Sequence, residues 1–325
     1  MRGWRQWQSA MLAVTIALLA SGAWAQDFPV KGKPITIIVP YAAGGVTDTG
    51  ARVLAAAMEK ELGTPVQVVN KIGAASQIGL SELVRSAPDG HTLSYALLPT
   101  VVTHYLDPSR AAIYTRKDFQ PVAMHHYAPN LLAVKSDSPY RTLKDLVDAA
   151  RAKPESIRVG DPGLLSVPHV QAMMLEQAAG VRLASVHFGG GALSVTSLLG
   201  GHIDVLAGVT ADVLPHKMSG AFRVLGVAAE QPDKSMPDVP TIRSQGYDVL
   251  AATWTGIVAP FGTPDRVIGA LTKAIRKVIE SPEHQKKLDE LALGSAYLDP
   301  AAYAKLWIDT ETRVKPLLEK LLEKK

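Results

Sequence analysis

The chain has 325 residues, with 34 Lys and Arg against 30 Asp and Glu, and it contains no cysteine. The missing cysteines exclude thiol catalysis, thiolate metal sites and iron–sulfur clusters, all of which need a sulfur nucleophile or ligand. The basic residues are scattered, so the net charge of +4 is not the footprint of a nucleic-acid-binding protein. The length exceeds what one hydrophobic core usually covers, which predicts two domains.

The first 25 residues have the pattern of a secretory signal peptide. Two arginines near the start provide the positive region, residues 10–20 are uncharged and apolar, and residues 23–25 read A-W-A, an A-x-A cleavage site. Cleavage after Ala25 predicts a mature chain that begins at Gln26 in the periplasm. The alternative is a membrane anchor, but the apolar stretch is shorter than the ~20 residues that span a bilayer. Because residue 26 is not cysteine, no lipid anchor is expected.

From residue 35 the chain alternates apolar strands with amphipathic helices. Apolar, β-branched runs at 35–39, 66–69 and 92–98 predict strands buried in a parallel sheet. The segments between them have the apolar spacing of helices, and Gly63 marks the end of the first. This β-α-β-α-β order is typical of a doubly wound α/β domain.

A similar alternation restarts near residue 131. Further strands are predicted at 131–134, 157–159, 184–188, 203–206 and 224–228. Thr142 and Asp145 are spaced as a capping box, and Ser166 is placed to cap the next helix, which stops at Gly180. This segment therefore predicts a second α/β domain.

The C-terminal segment predicts helices without strands between them. Thr263, Pro264 and Asp265 are typical of a helix start, with a cap, a proline and an acid in order. Two more helices are predicted at 282–293 and 300–323. We expect these helices to pack back onto the first domain.

This return of the chain predicts a discontinuous first domain. Domain 1 would comprise residues 26–126 and 255–325, and domain 2 would comprise residues 127–254. The chain would then cross between the domains twice, near 125–130 and again near 254–260.

Four loops rich in small residues each follow a predicted strand and precede a predicted helix. They are residues 43–48, 73–77, 160–166 and 189–193. Ligands of open α/β sheets bind outside the carboxyl ends of the strands, where helix N-termini offer unpaired N–H donors and the positive end of the dipole. Two loops from each domain, facing across a cleft, would bind a carboxylate without Arg or Lys. The alternative is that the glycines serve only tight turns.

No motif for catalysis, nucleotide binding or metal binding accompanies these loops. The glycines lack the G-x-G-x-x-G spacing, and no loop ends as a phosphate-binding P-loop does. His125 and His126 are adjacent, so on a strand they would point to opposite faces and could not easily share a metal. Ser166 and His169 are spaced as a Ser/His pair without an apparent orienting acid. We expect no catalytic residue, no metal and no cofactor, and a periplasmic hydrolase is only a remote alternative.

Asp48 is the carboxylate of the first loop, and two interpretations of it stay open. It is either a first-turn acid that stabilises the start of a helix or an acceptor for an amine or hydroxyl of a ligand. In that position its charge would repel a ligand carboxylate unless it orients N–H groups of the loop.

Five segments resemble motifs of the Bug family, the solute receptors of tripartite tricarboxylate transporters. They are KPITIIVP at 33–40 with AAGG at 42–45 behind it, APDGHTL at 87–93, LLGGHIDV at 198–205, MPDVPT at 236–241 and APFGTP at 259–264. Their order and spacing extend over nearly the whole mature chain. The resemblance implies a type II periplasmic-binding-protein fold: two doubly wound α/β domains, joined by two crossover segments, with a ligand cleft between them.

The resemblance also implies the ligand and the partners. Receptors of this family bind small carboxylates, sometimes amino acids or aromatic acids, and hand them to a large multi-span and a small integral-membrane subunit. An alternative partner for the same captured ligand is a membrane sensor kinase. We expect a monomer that binds no nucleic acid.

In this family, main-chain groups of two facing loops bind the ligand carboxylate. Those loops correspond here to Ala43, Gly44, Gly45, Thr47, Asp48, Gly190, Gly191 and Ala192. The other candidate ligand-binding residues lie in or beside the remaining loops: Tyr41, Ser76, Gln77, Thr100, Gly163, Leu164, Ser166 and His169.

Two departures from the family pattern bear on the ligand. The usually polar loop at 162–169 reads PGLLSVPH, and an acidic position common in the family is Gly208. The cleft is therefore predicted to be more apolar and less acidic. We hypothesise a carboxylate without an amine, whose apolar or aromatic body packs near Tyr41, Leu164 and Leu165.

Overall fold

The computed structural model of the chain describes residues 28–41 and 43–322. The predicted signal peptide, residues 1–25, lies outside this described part, so its cleavage stays a prediction. None of the described helices is long and apolar enough to cross a membrane.

The β-strands of the described chain join in one mixed sheet. Their bounds are β1 Ile35–Val39, β2 Val66–Asn70, β3 Thr92–Leu98, β4 Phe119–Lys135, β5 Arg158–Asp161, β6 Ala184–His187, β7 Val205–Val209, β8 Phe222–Val227, β9 Ala252–Pro260 and β10 Gly294–Leu298. The main path of the sheet runs β2-β1-β3-β9-β4-β7-β5-β6, and β8 and β10 also pair with β4.

The α-helices of the described chain connect these strands and form the C-terminal segment. Their bounds are α1 Val46–Leu62, α2 Gln77–Val84, α3 Thr100–Leu106, α4 Leu143–Ala152, α5 Val167–Ala179, α6 Gly191–Leu199, α7 Thr210–Met218, α8 Asp265–Ile279, α9 Pro282–Glu290 and α10 Pro300–Leu322. Two short 3-10 turns matter for the site and lie at Ala74–Ser76 and Pro108–Arg110.

The 17-residue strand β4 runs through both halves of the sheet. It pairs with β9 as far as Pro129 and then, from Asn130, with β7, while β8 pairs with the same last part. The half that contains β2, β1 and β3 and the half that contains β7, β5 and β6 form two α/β lobes. The predicted fold class, with two lobes and two crossovers, is therefore confirmed. The boundaries at residues 126 and 254 stay predictions.

Strand β1 shows why the sequence folds in this way. Ile35, Ile37, Ile38 and Val39 are all buried, as a parallel strand with helices on both faces requires. β1 pairs in parallel with β2 and β3, and β5 pairs in parallel with β6 and β7. Parallel pairing brings the loops that follow these strands to the carboxyl edge of each lobe.

Four of the five predicted capping residues, Gly63, Thr142, Ser166 and Gly180, lie at a helix end. The Thr142 hydroxyl accepts the Asp145 N–H at 3.1 Å, and the Asp145 carboxylate accepts the Thr142 N–H at 2.9 Å. Gly63 ends α1 with a φ of 62°, a left-handed conformation that glycine adopts at little cost. The predicted cap at Thr263 is wrong, because its hydroxyl donates to a carbonyl three residues earlier and α8 begins at Asp265 without a side-chain cap.

The C-terminal helices pack on the first lobe, as predicted. α8 contributes apolar side chains to the core around β1 and α1, and Trp307 of α10 stacks on Phe119 with ring centroids 5.5 Å apart. Strand β10 lies between α9 and α10 and pairs with β4. The sequence pattern does not predict β10, because all its residues are partly buried and show no alternation.

A cluster of buried histidines corrects the expectation for His125 and His126. The register of β4 against β9 shifts between Met124 and His126, and this bulge leaves the two Nδ1 atoms 2.9 Å apart instead of on opposite faces. Nε2 of His125 lies 2.8 Å from Nε2 of His284, and its Nδ1 lies 2.6 Å from the Tyr95 hydroxyl. The cluster is thus a polar network inside the first lobe.

This network predicts that the protein loses stability in mild acid. Burial, with the charge of His284, lowers the pKa of His126 to about 3, and burial, with the charge of Lys287, lowers that of His284 to about 4. The unfolded chain takes up these protons near pH ~6.5. The free energy of unfolding should therefore be highest above that pH and fall as the pH drops towards about 4.

Urea unfolding between pH 7.5 and 4.5 measures this effect. We expect His284→Gln to flatten the pH dependence and the exposed control His202→Gln to leave it unchanged. A free energy of unfolding that stays constant over this range would contradict the assignment of neutral buried histidines.

Candidate functional site

The four loops named from the sequence lie at the carboxyl edges of the two lobes. In the first lobe, β1 leads through the first loop into α1, and β2 leads through the second loop into α2. In the second lobe, β5 leads into α5 and β6 leads into α6. Because a helix leaves its first N–H groups without intrahelical partners, these edges carry backbone donors and positive dipole ends.

The carboxylate of Asp48 holds the first loop in place. It accepts hydrogen bonds from the Gly44 N–H at 2.9 Å, from the Arg52 guanidinium at 2.9 and 3.0 Å and from the Asn70 amide at 2.9 Å. Burial raises the pKa of this carboxyl, but the bonds from Arg52, Gly44 and Asn70 outweigh burial and hold the pKa below its usual range. Four donors fill the acceptor positions of a carboxylate. Asp48 is therefore a helix-start acid that orients the loop, not a free acceptor for a ligand.

The first loop leaves a row of backbone donors unpaired. Ala43, Gly44 and Gly45 are exposed, and Gly44 has a φ of 80° that glycine adopts readily. Gly45 precedes α1 without a side-chain cap. The N–H groups of Val46 and Thr47 make no hydrogen bond to another described residue. These two donors can bind an anion.

Three predicted site residues lie together beside the second loop, and a fourth, Gln77, makes a different contact. Ser76 and Thr100 are buried and lie beside the hydroxyl of Tyr41. Burial raises the pKa of Tyr41, and Ser76, Thr100 and the Arg110 charge only partly offset this effect. The Gln77 amide donates to the carbonyl of Arg110 at 2.9 Å, so Gln77 anchors the neighbouring 3-10 turn instead of facing a ligand.

Arg110 is a cationic residue at the site that the sequence analysis missed. Its Nη2 donates to the carbonyl of Leu164 in the second lobe at 3.1 Å, and its Nε lies 3.8 Å from the Asp107 carboxylate. The loops of the two lobes therefore touch across the cleft. The site also contains an arginine, although the sequence predicted carboxylate binding without one. Nothing in the surrounding turn sequence distinguishes Arg110 from an ordinary turn residue.

Two further residues that the sequence analysis missed are Asp161 and His187, at the ends of β5 and β6. They pair directly in the parallel register of the two strands. The Asp161 carboxylate is fully buried and accepts hydrogen bonds from Nδ1 of His187 at 2.9 and 3.1 Å and from the Gly163 N–H at 2.8 Å. Gly163 thus stabilises the loop through its hydrogen bond to Asp161.

Ser166 and His169 are both engaged in the backbone of the third loop. The Ser166 hydroxyl caps α5 by accepting the His169 N–H at 3.4 Å, and Nδ1 of His169 accepts the Leu165 N–H at 2.9 Å. Burial lowers the pKa of His169 to about 4, with a smaller lowering from His187 and an opposing effect of Asp161. The hydroxyl and the imidazole do not bond each other, so the geometry gives the hydrolase alternative no support.

The fourth loop lies against a half-buried acid that the sequence analysis missed. α6 begins at Gly191, after Gly190 with a φ of 148°, and Ala192 is exposed in the first turn. A Cβ on Gly191 would collide with the carboxylate of Asp212, which would have to move. Burial raises the pKa of Asp212. Asp212 therefore places an acid beside the fourth loop, although position 208 is a glycine.

The apolar contribution of the third loop is smaller than predicted. Leu164 is 38% exposed, but Leu165 is 2% exposed and has a left-handed φ of 61°. Of the two leucines, Leu164 alone offers an apolar surface to a ligand.

A large cavity lies away from these loops. It has a volume of about 1060 Å³ and is lined by Tyr127 and Trp254 of the crossover strands, by Val170 and Met174 of α5 and by residues of α10. None of the predicted site residues lines it, and its walls carry none of the glycine-rich loops. The assignment of the functional site to the loops stays a prediction.

A two-lobed sheet with glycine-rich helix starts at facing carboxyl edges is the architecture of type II periplasmic binding proteins. The model of the tripartite tricarboxylate transporter family receptor matches residues 50–322. The chain belongs to this receptor family, and the predicted resemblance to the Bug receptors is confirmed.

Relatives and solved structures agree with this assignment. The UPF0065 protein in the gbd 5′ region of Cupriavidus necator is 30% identical over 96% of this chain and 94% of its own. BugT of Bordetella pertussis is 31% identical over 84% of both chains. A TctC solute-binding protein from Polaromonas superposes with a TM-score of 0.76 at 31% identity, over 90% of this chain and 100% of its own.

Two solved structures with named ligands are also similar to this chain. MatC from Rhodopseudomonas palustris with bound malate has a TM-score of 0.78 at 28% identity, over 88% of this chain and 99% of its own. A second R. palustris protein, with adipate, has a TM-score of 0.81 at 25% identity, over 90% of this chain and 98% of its own.

The role of Asp48 leads to a stability prediction. Asp48→Asn removes the charge that Arg52 and the Gly44 N–H share, so we expect the free energy of unfolding to fall by about 1–3 kcal/mol. The control Asp265→Asn removes an exposed first-turn acid of α8 and should cost less than about 1 kcal/mol. Urea unfolding at pH 7.5 compares the two variants. Equal, small losses would show that Asp48 acts only on the helix dipole.

Proposed function

We propose that this protein is an exported periplasmic receptor that captures a small organic carboxylate between its lobes. The proposal is supported by the N–H groups of Val46 and Thr47 at the start of α1 in one lobe and by a second glycine-rich helix start at Gly190–Ala192 in the other. Donors of this kind bind carboxylates at helix N-termini. The receptor would deliver its ligand to the large and small membrane subunits of a tripartite transporter. Export follows from the predicted signal peptide.

The ligands of the two structural neighbours support the carboxylate class. One holds malate and the other adipate, which share carboxylate groups and differ in length and in a hydroxyl. The family description, a tripartite tricarboxylate transporter receptor, supports the membrane partner. The same description names a receptor and no reaction.

Capture of a ligand requires no chemical reaction. It requires only a shift between an open and a closed arrangement of the two lobes. Closure excludes water, which strengthens each N–H to carboxylate hydrogen bond. A ligand that contacts both lobes stabilises the closed form and so biases the hinge at the two crossovers. The bond from Arg110 to Leu164 joins the loops on either side of the cleft and would be part of that closed form.

Substitution of Gly45 tests this function. Gly45→Asp adds bulk and a negative charge beside the donors, so we expect it to abolish carboxylate binding. The matched control is Gly269→Asp, because Gly269 is exposed in α8 and a Cβ there meets nothing within 4 Å. Thermal-shift assays on the mature chain with succinate, malate, adipate and citrate measure binding, since a ligand of the folded state raises Tm.

The expected result is a rise in Tm with at least one carboxylate in the wild type and in Gly269→Asp, and no rise in Gly45→Asp. Equal shifts in all three proteins would remove the first loop from the site. A wild type that responds to none of these acids would overturn the proposed ligand class.

A further inference from the structure

The second lobe carries a cluster of one carboxylate and two imidazoles that the main-chain site does not explain. Asp161 ends β5, His187 ends β6, and His169 lies in the first turn of α5. The two imidazole centroids are 4.5 Å apart at an interplanar angle of 71°. One ligand atom from each of the three residues lies within 4.8 Å of the others. The cluster could therefore hold either a cation or an anion, and the positions of its protons decide between them.

Asp161 orients the ring of His187. Nδ1 and Nε2 lie on opposite sides of an imidazole, so the bond from Nδ1 to the buried carboxylate directs Nε2 away from it. A carboxylate without exposure is costly unless a cation or several donors compensate it. Nδ1 of His187 and the Gly163 N–H supply donors to it, and Nε2 lies on the other side of the ring. Because the His187 side chain is 32% exposed, this edge of the ring can reach a ligand.

The backbone assigns the proton of His169. The Leu165 N–H can only donate, so Nδ1 of His169 has to be the acceptor of their 2.9 Å hydrogen bond. A neutral imidazole carries its proton on the other nitrogen, and burial keeps this ring neutral by lowering its pKa to about 4. His169 thus presents an N–H from Nε2, for which the described residues supply no acceptor.

These protons favour an anion over a metal ion. A metal at Nε2 of His169 needs the lone pair of that nitrogen, so the proton would have to move to Nδ1 and the bond from Leu165 would break. Leu165 already has a left-handed φ of 61° in the loop that makes this bond. An oxygen of an anion accepts from the same nitrogen without any rearrangement.

We propose that His169 and His187, the latter as an imidazolium in the complex, are the second-lobe donors for a carboxylate of the ligand, with Asp161 as their positioning residue. This inference rests on the proposed function and narrows its ligand to dicarboxylates. One carboxylate would bind the N–H groups of residues 46 and 47, and the other would bind the two imidazoles. The Arg110–Leu164 hydrogen bond brings a turn of the first lobe against the loop that precedes α5 in the second lobe. A monocarboxylate fills only one of the two donor sets.

Calorimetry on the mature chain at pH 7.5 tests the inference with acids of matched length: succinate against butyrate, and adipate against hexanoate. For the wild type we expect the better dicarboxylate to bind at least about tenfold more tightly than its monocarboxylate. His187→Ala and Asp161→Asn should each remove about tenfold of the dicarboxylate affinity and leave the affinity for the monocarboxylate nearly unchanged. The exposed His202→Gln is the matched control and should stay within about twofold.

His169→Gln is a second variant that keeps an acceptor for the Leu165 N–H, so it should fold with a near-native Tm and still lose dicarboxylate affinity. If the wild type binds a dicarboxylate and His187→Ala binds it equally well, this inference is overturned and the proposed function stands. If the wild type binds no acid of the set, the proposed function itself fails. Stoichiometric Zn²⁺ binding by chelator-treated protein that is lost in His169→Gln would replace the anion site by a metal site.

Discussion

Backbone N–H groups at the starts of α1 and α6 are the feature on which the rest of the account depends. A carboxylate that leaves water needs donors to replace its hydration, and an unpaired charge in a closed cleft is costly. Helix starts at the carboxyl edges of parallel strands supply those donors with a favourable dipole. Buried acids hold the loops around them: Asp48 binds the Gly44 N–H, and Asp161 binds the Gly163 N–H.

The same sheet that positions the donors also connects the lobes. β4 pairs with β9 along the first lobe and with β7 and β8 in the second, so the two crossovers lie side by side in one antiparallel pair. Such a connection lets the lobes rotate while each keeps its own core. The loops that touch across the cleft, at Arg110 and Leu164, lie on the moving parts. In the proposed function, binding at the loops would be coupled to closure through this contact.

The sequence predicts well what depends on local pattern. Strand 35–39, the Thr142 capping box and the glycine-rich loops all follow from spacing and residue type, and the structure has them where expected. The residues that the sequence misses depend on contacts between distant segments. Asp161 and His187 are 26 positions apart and meet only through the register of β5 and β6. The hydrophobic periodicity of the two strands does not predict that register.

Two wrong predictions have the same cause, since both depended on contacts that the local sequence does not determine. The expectation for His125 and His126 assumed a regular strand, and a bulge in β4 turned their rings towards each other. Because position 208 is a glycine, the sequence suggested a cleft poor in acids. Asp212, which follows Gly208 by four residues and lies in α7, nevertheless lies against Gly191. A family motif can thus lack its usual acid while a neighbouring helix provides a carboxylate at the same edge.

A crystal structure of the mature chain with adipate tests the central claim most directly. We expect one carboxylate within about 3 Å of the N–H groups of residues 46 and 47, and the other at the same distance from Nε2 of His169 and His187. The lobes would be closed on the ligand. Adipate bound instead in the cavity between α5 and α10, beside Tyr127 and Trp254, would contradict the assignment of the site to the glycine-rich loops.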